Sequence, residues 1–220
     1  MPRKRRPLDR DGGVMRDARL VVIASEDSFA VRDYFLRFRA RRVQFRVLPT
    51  QGGHSAPQHV IDRLDADRKE VDYAEGDEFW VCLDADHWIE PNHIANLREV
   101  IRLCNQKQYR IAICNPCFEF WLLLHFEDND GKTLAKCAAA VQALKVAAGG
   151  YQKGTGEQLP IVGEMVLRAR DRARKLDIDD GEIPTRPAAR IHLILDSLHE
   201  RESIELQVTA QASETSERVG

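Results

Sequence analysis

Between residues 19 and 114 the chain alternates short, β-branched apolar runs with stretches of helical spacing. This constrains its fold more than any other feature. "RLVVIAS" (19–25), "VQFRVL" (43–48), the run 78–83 within "DEFWVCLD" and "RIAIC" (110–114) read as four strands. Residues 27–42 place Phe29, Val31, Tyr34, Phe35 and Phe38 near helical spacing, 56–70 and 91–106 read as two more helices, and "PTQGGHS" (49–55) is a loop by composition. Strands separated by helices need crossover connections, so the expected sheet is mainly parallel and flanked by helices. After residue 115 the pattern turns to helices alone, in "PCFEFWLLLHF", "KTLAKCAAAVQALKVAA", "GEMVLRARDRARKL" and "AARIHLILDSLHER". The expectation is an α/β domain over 18–200, made of an α/β core (18–115) and a helical part (116–200). A disordered basic arm (1–17) precedes it, and a polar, Ser/Thr/Glu-rich disordered tail (204–220) follows.

Composition narrows the class. The chain is 43% hydrophobic, enough for a real core, and no apolar run approaches the roughly 18–20 residues that span a bilayer. The N-terminus lacks the apolar segment of a secretory signal, and an odd count of 5 cysteines suits reduced thiols in a cytoplasm better than a disulfide framework. The net charge of −2 hides an asymmetry: residues 1–46 hold 13 Lys/Arg against 6 Asp/Glu (+7), and the remainder holds 20 against 29 (−9). Such a basic front end, with Arg3, Lys4, Arg5 and Arg6 at its tip, fits a nucleic-acid partner. It also fits a solvated tail followed by the exposed face of an Arg-rich helix.

Acidic residues mark the strand ends. The first strand runs into Ser25-Glu26, the third into Asp84-Ala85-Asp86, and the fourth into Asn115. In open parallel sheets ligands collect beyond the C-terminal ends of the strands, where strand order reverses. If the first and third strands are neighbours, Glu26, Asp84 and Asp86 share one edge. Three carboxylates there repel one another unless a divalent cation such as Mg²⁺ or Mn²⁺ neutralises them, which is the chemistry of phosphoryl transfer. A bare D-x-D is also a common turn or helix cap. It occurs too in nucleotide-sugar glycosyltransferases and in phosphatases of the haloacid-dehalogenase type, although Trp88 stands where that phosphatase motif has Thr or Val.

The second informative segment is "ICNPCFEFWLLLHFE" (113–127). Asn115 suits an N-cap and Pro116 a first helical position, and the residues that follow leave almost no polar face, so a buried helix is expected. Its free N–H groups at the sheet edge would favour a substrate phosphate, beside Asn115. Glu119, one turn in, is either part of that site or a core glutamate bonded to a neighbouring helix. "CNPC" reads as a redox pair, as half of a zinc site, or as two structural cysteines.

Taken in order, these segments resemble the RloB family, which is related to the Toprim fold and found beside bacterial restriction and abortive-infection systems. The resemblance runs from about 18 to 199. It rests on "NPCFEFWLLLHFE", on "DEFWVCLDADH", on "EDSFAVRDYF" with Glu26, Tyr34 and Phe35, and on "YQKG" (151–154). It implies a cytoplasmic, Mg²⁺-dependent (or Mn²⁺-dependent) Toprim-type nuclease in antiphage defence. Glu26 would be general base or acid, or a metal ligand, and Asp84 and Asp86 would be metal ligands. Lys153 would neutralise the scissile phosphate, and Glu119 would be an outer ligand or orient Asn115. Implied partners are nucleic acid, a defence-system protein or a second copy of the chain, without a membrane. The family's first motif carries acids where this chain has Ser28 and Val31, and "TRPAAR" (185–190) keeps only the proline of a later turn. An alternative is therefore a weak or inactive module that binds nucleic acid or a partner on the same scaffold.

Overall fold

The computed structural model describes residues 18–40, 42–50, 52, 56–129, 134–152, 159–201 and 207–208. In chain order the first half forms β1 (Arg19–Ser25), α1 (Ala30–Phe35), β2 (Phe38–Arg39), β3 (Val43–Leu48), α2 (Pro57–Glu70), β4 (Glu78–Asp84), α3 (Ile94–Lys107) and β5 (Arg110–Asn115). The second half adds α4 (Phe118–Leu123), α5 (Cys137–Ala147), α6 (Gly163–Leu176), β6 (Ala188–Ala189), α7 (His192–Arg201) and β7 (Gln207–Val208).

β1 lies inside the sheet because it is apolar on both faces; Leu20 to Ala24 are all fully buried. Parallel neighbours flank it, β3 on one side and β4 on the other, and β5 continues parallel from β4. The two-residue β6 closes the edge antiparallel to β5, so the order is β3-β1-β4-β5-β6. Side chains alternate across this sheet with period two. Leu20, Val22, Ala24, Val81 and Leu83 pack with Val60, Ile61 and Leu64 of α2 and Leu97 and Ile101 of α3. Val21, Ile23, Trp80, Cys82 and Cys114 face the other way, into a larger core with α1, α4 and the C-terminal helices. The result is the mixed, mostly parallel sheet flanked by helices that the alternation demanded, with a more helical C-terminal half.

Local departures have tertiary causes. The helix expected over 27–42 stops at Phe35, because Phe38 and Arg39 leave it to pair antiparallel with Val208 and Gln207. That strand falls within the tail expected to be disordered. Ala188 and Ala189, expected to begin a helix, instead satisfy the free edge of β5. Asn115 does not cap the next helix. Its backbone still pairs with Ala188, its Nδ2 donates to the Pro184 carbonyl at 2.9 Å, the Asn115–Pro116 peptide is cis, and α4 begins at Phe118.

Candidate metal centre

The chain leaves β1 for β3 on one side and comes back to β4 on the other, so strand order reverses between β1 and β4. A ligand crevice is expected beyond the C-terminal ends of those two strands. Ser25 ends β1 and pairs with Cys82, and the Glu26 N–H donates to the Cys82 carbonyl at 3.3 Å, carrying the ladder one residue further. Glu26 thus emerges beside the end of β4, where Asp84 and Asp86 follow.

Each acid is held differently. Glu26 Oε2 accepts a hydrogen bond from Trp88 Nε1 at 3.2 Å, while its Oε1 is buried and accepts none from the described residues. Burial above all, with the nearby charges of Asp84 and Asp86, pushes the Glu26 carboxyl from its ordinary 4.5 to about 9; Trp88 and the Arg63 guanidinium oppose the shift. Asp84 Oδ1 accepts the Phe118 N–H at 2.9 Å. Asp86 keeps a side chain 20% exposed, with His87 Nε2 4.0 Å away. The turn carrying both aspartates is locked to the β5–α4 connection: Ala85 N–H donates to the Cys114 and Pro116 carbonyls at 2.8 and 3.0 Å, and Asp86 N–H to Pro116 at 3.1 Å. Two motifs about thirty residues apart in sequence therefore form one rigid edge.

Glu26 turns toward Trp88 and Arg63, on the α2 and α3 side, and Asp84 toward α4 on the other. Among the described residues, the one trio whose donor atoms all lie within 4.8 Å of one another is therefore not this one. The Glu26 oxygen without a described partner and the all-oxygen donors are the chemistry a hard divalent cation takes, but the three carboxylates do not converge on one point. Asp27 does not join the set. Its Oδ1 accepts N–H groups from Phe29, Ala30 and Val31 and so caps α1.

The remaining predicted residues separate from this edge. Asn115 is buried, 3% exposed, and its Nδ2 donates to the Pro184 carbonyl, away from a nucleic-acid ligand's reach. The first N–H of α4, expected to meet a phosphate, serves Asp84 instead. Glu119 is 1% exposed; its Oε1 accepts from Tyr151 Oη at 3.3 Å, and its Oε2 lies 3.7 Å from Cys137 Sγ. It does not orient Asn115. Lys153, Arg3, Lys4, Arg5 and Arg6 lie outside the described residues.

Cys117 and Cys137 are joined as a disulfide, with Cα atoms 5.4 Å apart, which corrects the expectation of reduced thiols throughout. Cys114, the other cysteine of "CNPC", is buried and free, so that pair is not a redox couple. Cys117, Glu119 and Cys137 are the trio within 4.8 Å, a donor set that could chelate a divalent metal once the disulfide is reduced to thiolates.

Arg63 carries no signal in the sequence. Its Nη2 donates to the Ser25 carbonyl at 2.6 Å and to Thr50 Oγ1 at 3.1 Å, placing a cation at the end of β1. Nothing in the "VIDRLDADR" pattern separates it from a surface arginine. Trp88 has a signal, a large aromatic within a polar turn, but its partner cannot be read from it.

Fold and strand-end acids together define a mostly parallel α/β protein with carboxylates at its topological switch point. The chain belongs to the RloB-like protein family, whose model matches residues 21–198. No curated protein and no solved structure matches it.

Proposed function

We propose that the protein is a Mg²⁺- or Mn²⁺-dependent nuclease of the Toprim type, hydrolysing phosphodiester bonds at the β1/β4 crevice. The observation that carries this reading is the buried Oε1 of Glu26, without a partner among the described residues and near Asp84 and Asp86, an arrangement that a divalent cation would neutralise. Glu26, Asp84 and Asp86 would hold the cation, which when bound polarises a phosphate and lowers the pKa of water. The rest falls to the chain. Without a cation, a carboxyl with a pKa near 9 holds a proton at neutral pH. On cation binding Glu26 would lose that proton and act either as a ligand or, outside the coordination shell, as general acid or base. Trp88 orients it, Arg63 balances its charged form, and the Phe118 N–H fixes the Asp84 carboxylate. Lys153 would neutralise the scissile phosphate; Glu119, which meets Tyr151 and Cys137 away from the edge, takes no part in this step.

The family resemblance supports a role in cytoplasmic antiphage defence, with a nucleic-acid substrate and a defence-system partner or second copy of the chain. Among the described residues no helix is long and apolar enough to cross a membrane. The basic tip, Arg3 to Arg6, would add non-specific affinity. Deleting residues 1–10 should lower the slope of log affinity against log salt by about 0.9 for each phosphate the tip neutralises.

A second reading, a binding module without turnover, has one observation in its favour. The Asp27 carboxylate is taken up in capping α1, and Ser28 supplies no acid, so among the described residues the edge holds three carboxylates and no fourth. A cleavage panel of tRNA and single- and double-stranded DNA with Mg²⁺ or Mn²⁺ separates the two. Divalent-dependent cleavage that disappears in Glu26→Gln supports the nuclease; binding without cleavage supports the module.

A further inference from the structure

Across the Pro116–Phe118 connection from the strand-end acids, Cys117, Glu119 and Cys137 bring two sulfurs and a carboxylate oxygen within 4.8 Å of one another. We propose that the dithiol form of this trio is a second metal centre, taking a thiophilic divalent cation such as Zn²⁺, and that disulfide and metal are alternative occupants of one corner.

The donor set chooses the ion. Two thiolates and one carboxylate favour Zn²⁺ over Mg²⁺, which the all-oxygen edge would take. Spacing agrees. Zn–S and Zn–O bonds of about 2.3 and 2.0 Å at a tetrahedral angle hold sulfur and oxygen about 3.5 Å apart. Cys137 Sγ and Glu119 Oε2 are 3.7 Å apart. The donors also sit on firm supports: Cys117 directly precedes α4, Glu119 lies in its first turn, and Cys137 is the first residue of α5, which packs against α4. Tyr151 holds Glu119 Oε1 from behind, the kind of outer hydrogen bond that orients a ligating carboxylate toward its metal. Cys117 and Glu119 are buried while Cys137 is only half-buried, so an ion would enter past Cys137. Three protein ligands leave the fourth position to water.

Exchange between the two states balances. An external dithiol reductant gives two electrons and two protons to the Cys117–Cys137 bond, which breaks to two thiols as the reductant closes to its own disulfide. Zn²⁺ then displaces the two thiol protons to solvent. Either crosslink ties α5 to the connection whose Pro116 carbonyl and Phe118 N–H hold the Asp84–Asp86 turn. The corner would thus lock the same edge by two chemistries.

The test uses the full chain, reduced with a phosphine, desalted without oxygen and kept in excess Mg²⁺ to fill oxygen sites. Zn²⁺ is titrated against a chromophoric chelator, and Co²⁺ is followed by its thiolate charge-transfer absorption. We expect one thiolate-bound ion per chain, present when reduced, absent when oxidised and absent in Cys137→Ser. Glu119→Gln should weaken it roughly 10–100-fold, and Cys104→Ser should keep it. In the reduced wild-type chain, which needs no variant to fold, Zn²⁺ should protect Cys117 and Cys137 from alkylation as read by mass spectrometry. A charge-transfer band that never forms, or that survives Cys137→Ser, overturns the proposal. So does alkylation of both cysteines at the same rate with and without Zn²⁺.

Discussion

The strand-end edge and the cysteine corner lie on either side of one connection, residues 115–118, yet they hold together for opposite reasons. At the edge, three acids are carried to one end of the sheet by backbone that has no alternative: Glu26 rides on the β1/β4 ladder, and the Asp84–Asp86 turn is tied to Pro116. Burial above all, and then the nearby charges of Asp84 and Asp86, raises energy there, as the elevated Glu26 pKa records. In the corner, Cys117, Cys137 and Glu119 meet through favourable interactions, a covalent bond and the hydrogen bond from Tyr151. The edge is a place the fold maintains against its own electrostatics, which is a mark of binding or chemistry. The corner is self-sufficient, so its disulfide stabilises the fold whether or not anything binds.

The largest effect expected of this contrast is on turnover. Asp84→Asn keeps an Oδ1 that can accept the Phe118 N–H, so the fold should survive, with a melting temperature without divalent cation equal to or above wild type. Cleavage should fall by at least about 100-fold, the upper range for disturbing even an outer metal interaction. Initial rates and melting curves on one preparation decide it, and an active Asp84→Asn would remove the edge from the mechanism.

Next comes the corner. The disulfide closes a loop of sequence separation 20, so reducing it without metal should cost about 3 kcal/mol by chain entropy. Denaturant melts with and without reductant measure this, and Cys104→Ser, which touches a free buried thiol, should respond to reductant as wild type does. Equal stability in both states would break the contrast.

The pH dependence of the edge is smaller and has a definite sign. Because the folded-state pKa of Glu26 is raised, its contribution is complete below pH 4.5 and fades as pH rises toward 9. Without divalent cation, stability should fall by about 1–3 kcal/mol between pH 6 and 9, a value discounted for partial exposure. Glu26→Gln should flatten that slope, and Mg²⁺ should offset it in wild type alone. Chemical denaturation across that range checks both.

The smallest effect lies in the core behind both regions. His125 Nδ1–H donates to the Trp121 carbonyl, and Nε2 accepts from Tyr34 Oη at 3.0 Å, while burial lowers the imidazole pKa from 6.5 to about 3. Its contribution is complete above pH 6.5 and fades as pH falls toward 3. Tyr34→Phe leaves Nε2 without its donor and should cost about 1–2 kcal/mol. The cleavage rate per folded molecule should not change, as Tyr34 and His125 are a packing pair.

How much is legible follows from where each interaction originates. Strand identity, sheet direction and the position of Glu26, Asp84 and Asp86 are readable because period-two burial and strand ends are local properties of the chain. So is the buried character of "CFEFWLLL", since a stretch with no polar face must be covered on all sides. The helix over 27–42 is shorter than its spacing suggests, because helical spacing cannot reveal that Phe38 and Arg39 will pair with a strand about 170 residues later. "NPC" resembles a cap but is none, because Asn115 still pairs with Ala188 in the sheet and α4 begins only at Phe118. The pairing of Cys117 with Cys137 rather than Cys114, the donation of Trp88 to Glu26 and the placement of Arg63 depend on how α4, α5 and α2 pack on the sheet. Burial period and turn chemistry are written into neighbouring residues. Partner choice among cysteines, carboxylates and arginines is a property of distances in space, which packing sets once the elements have formed.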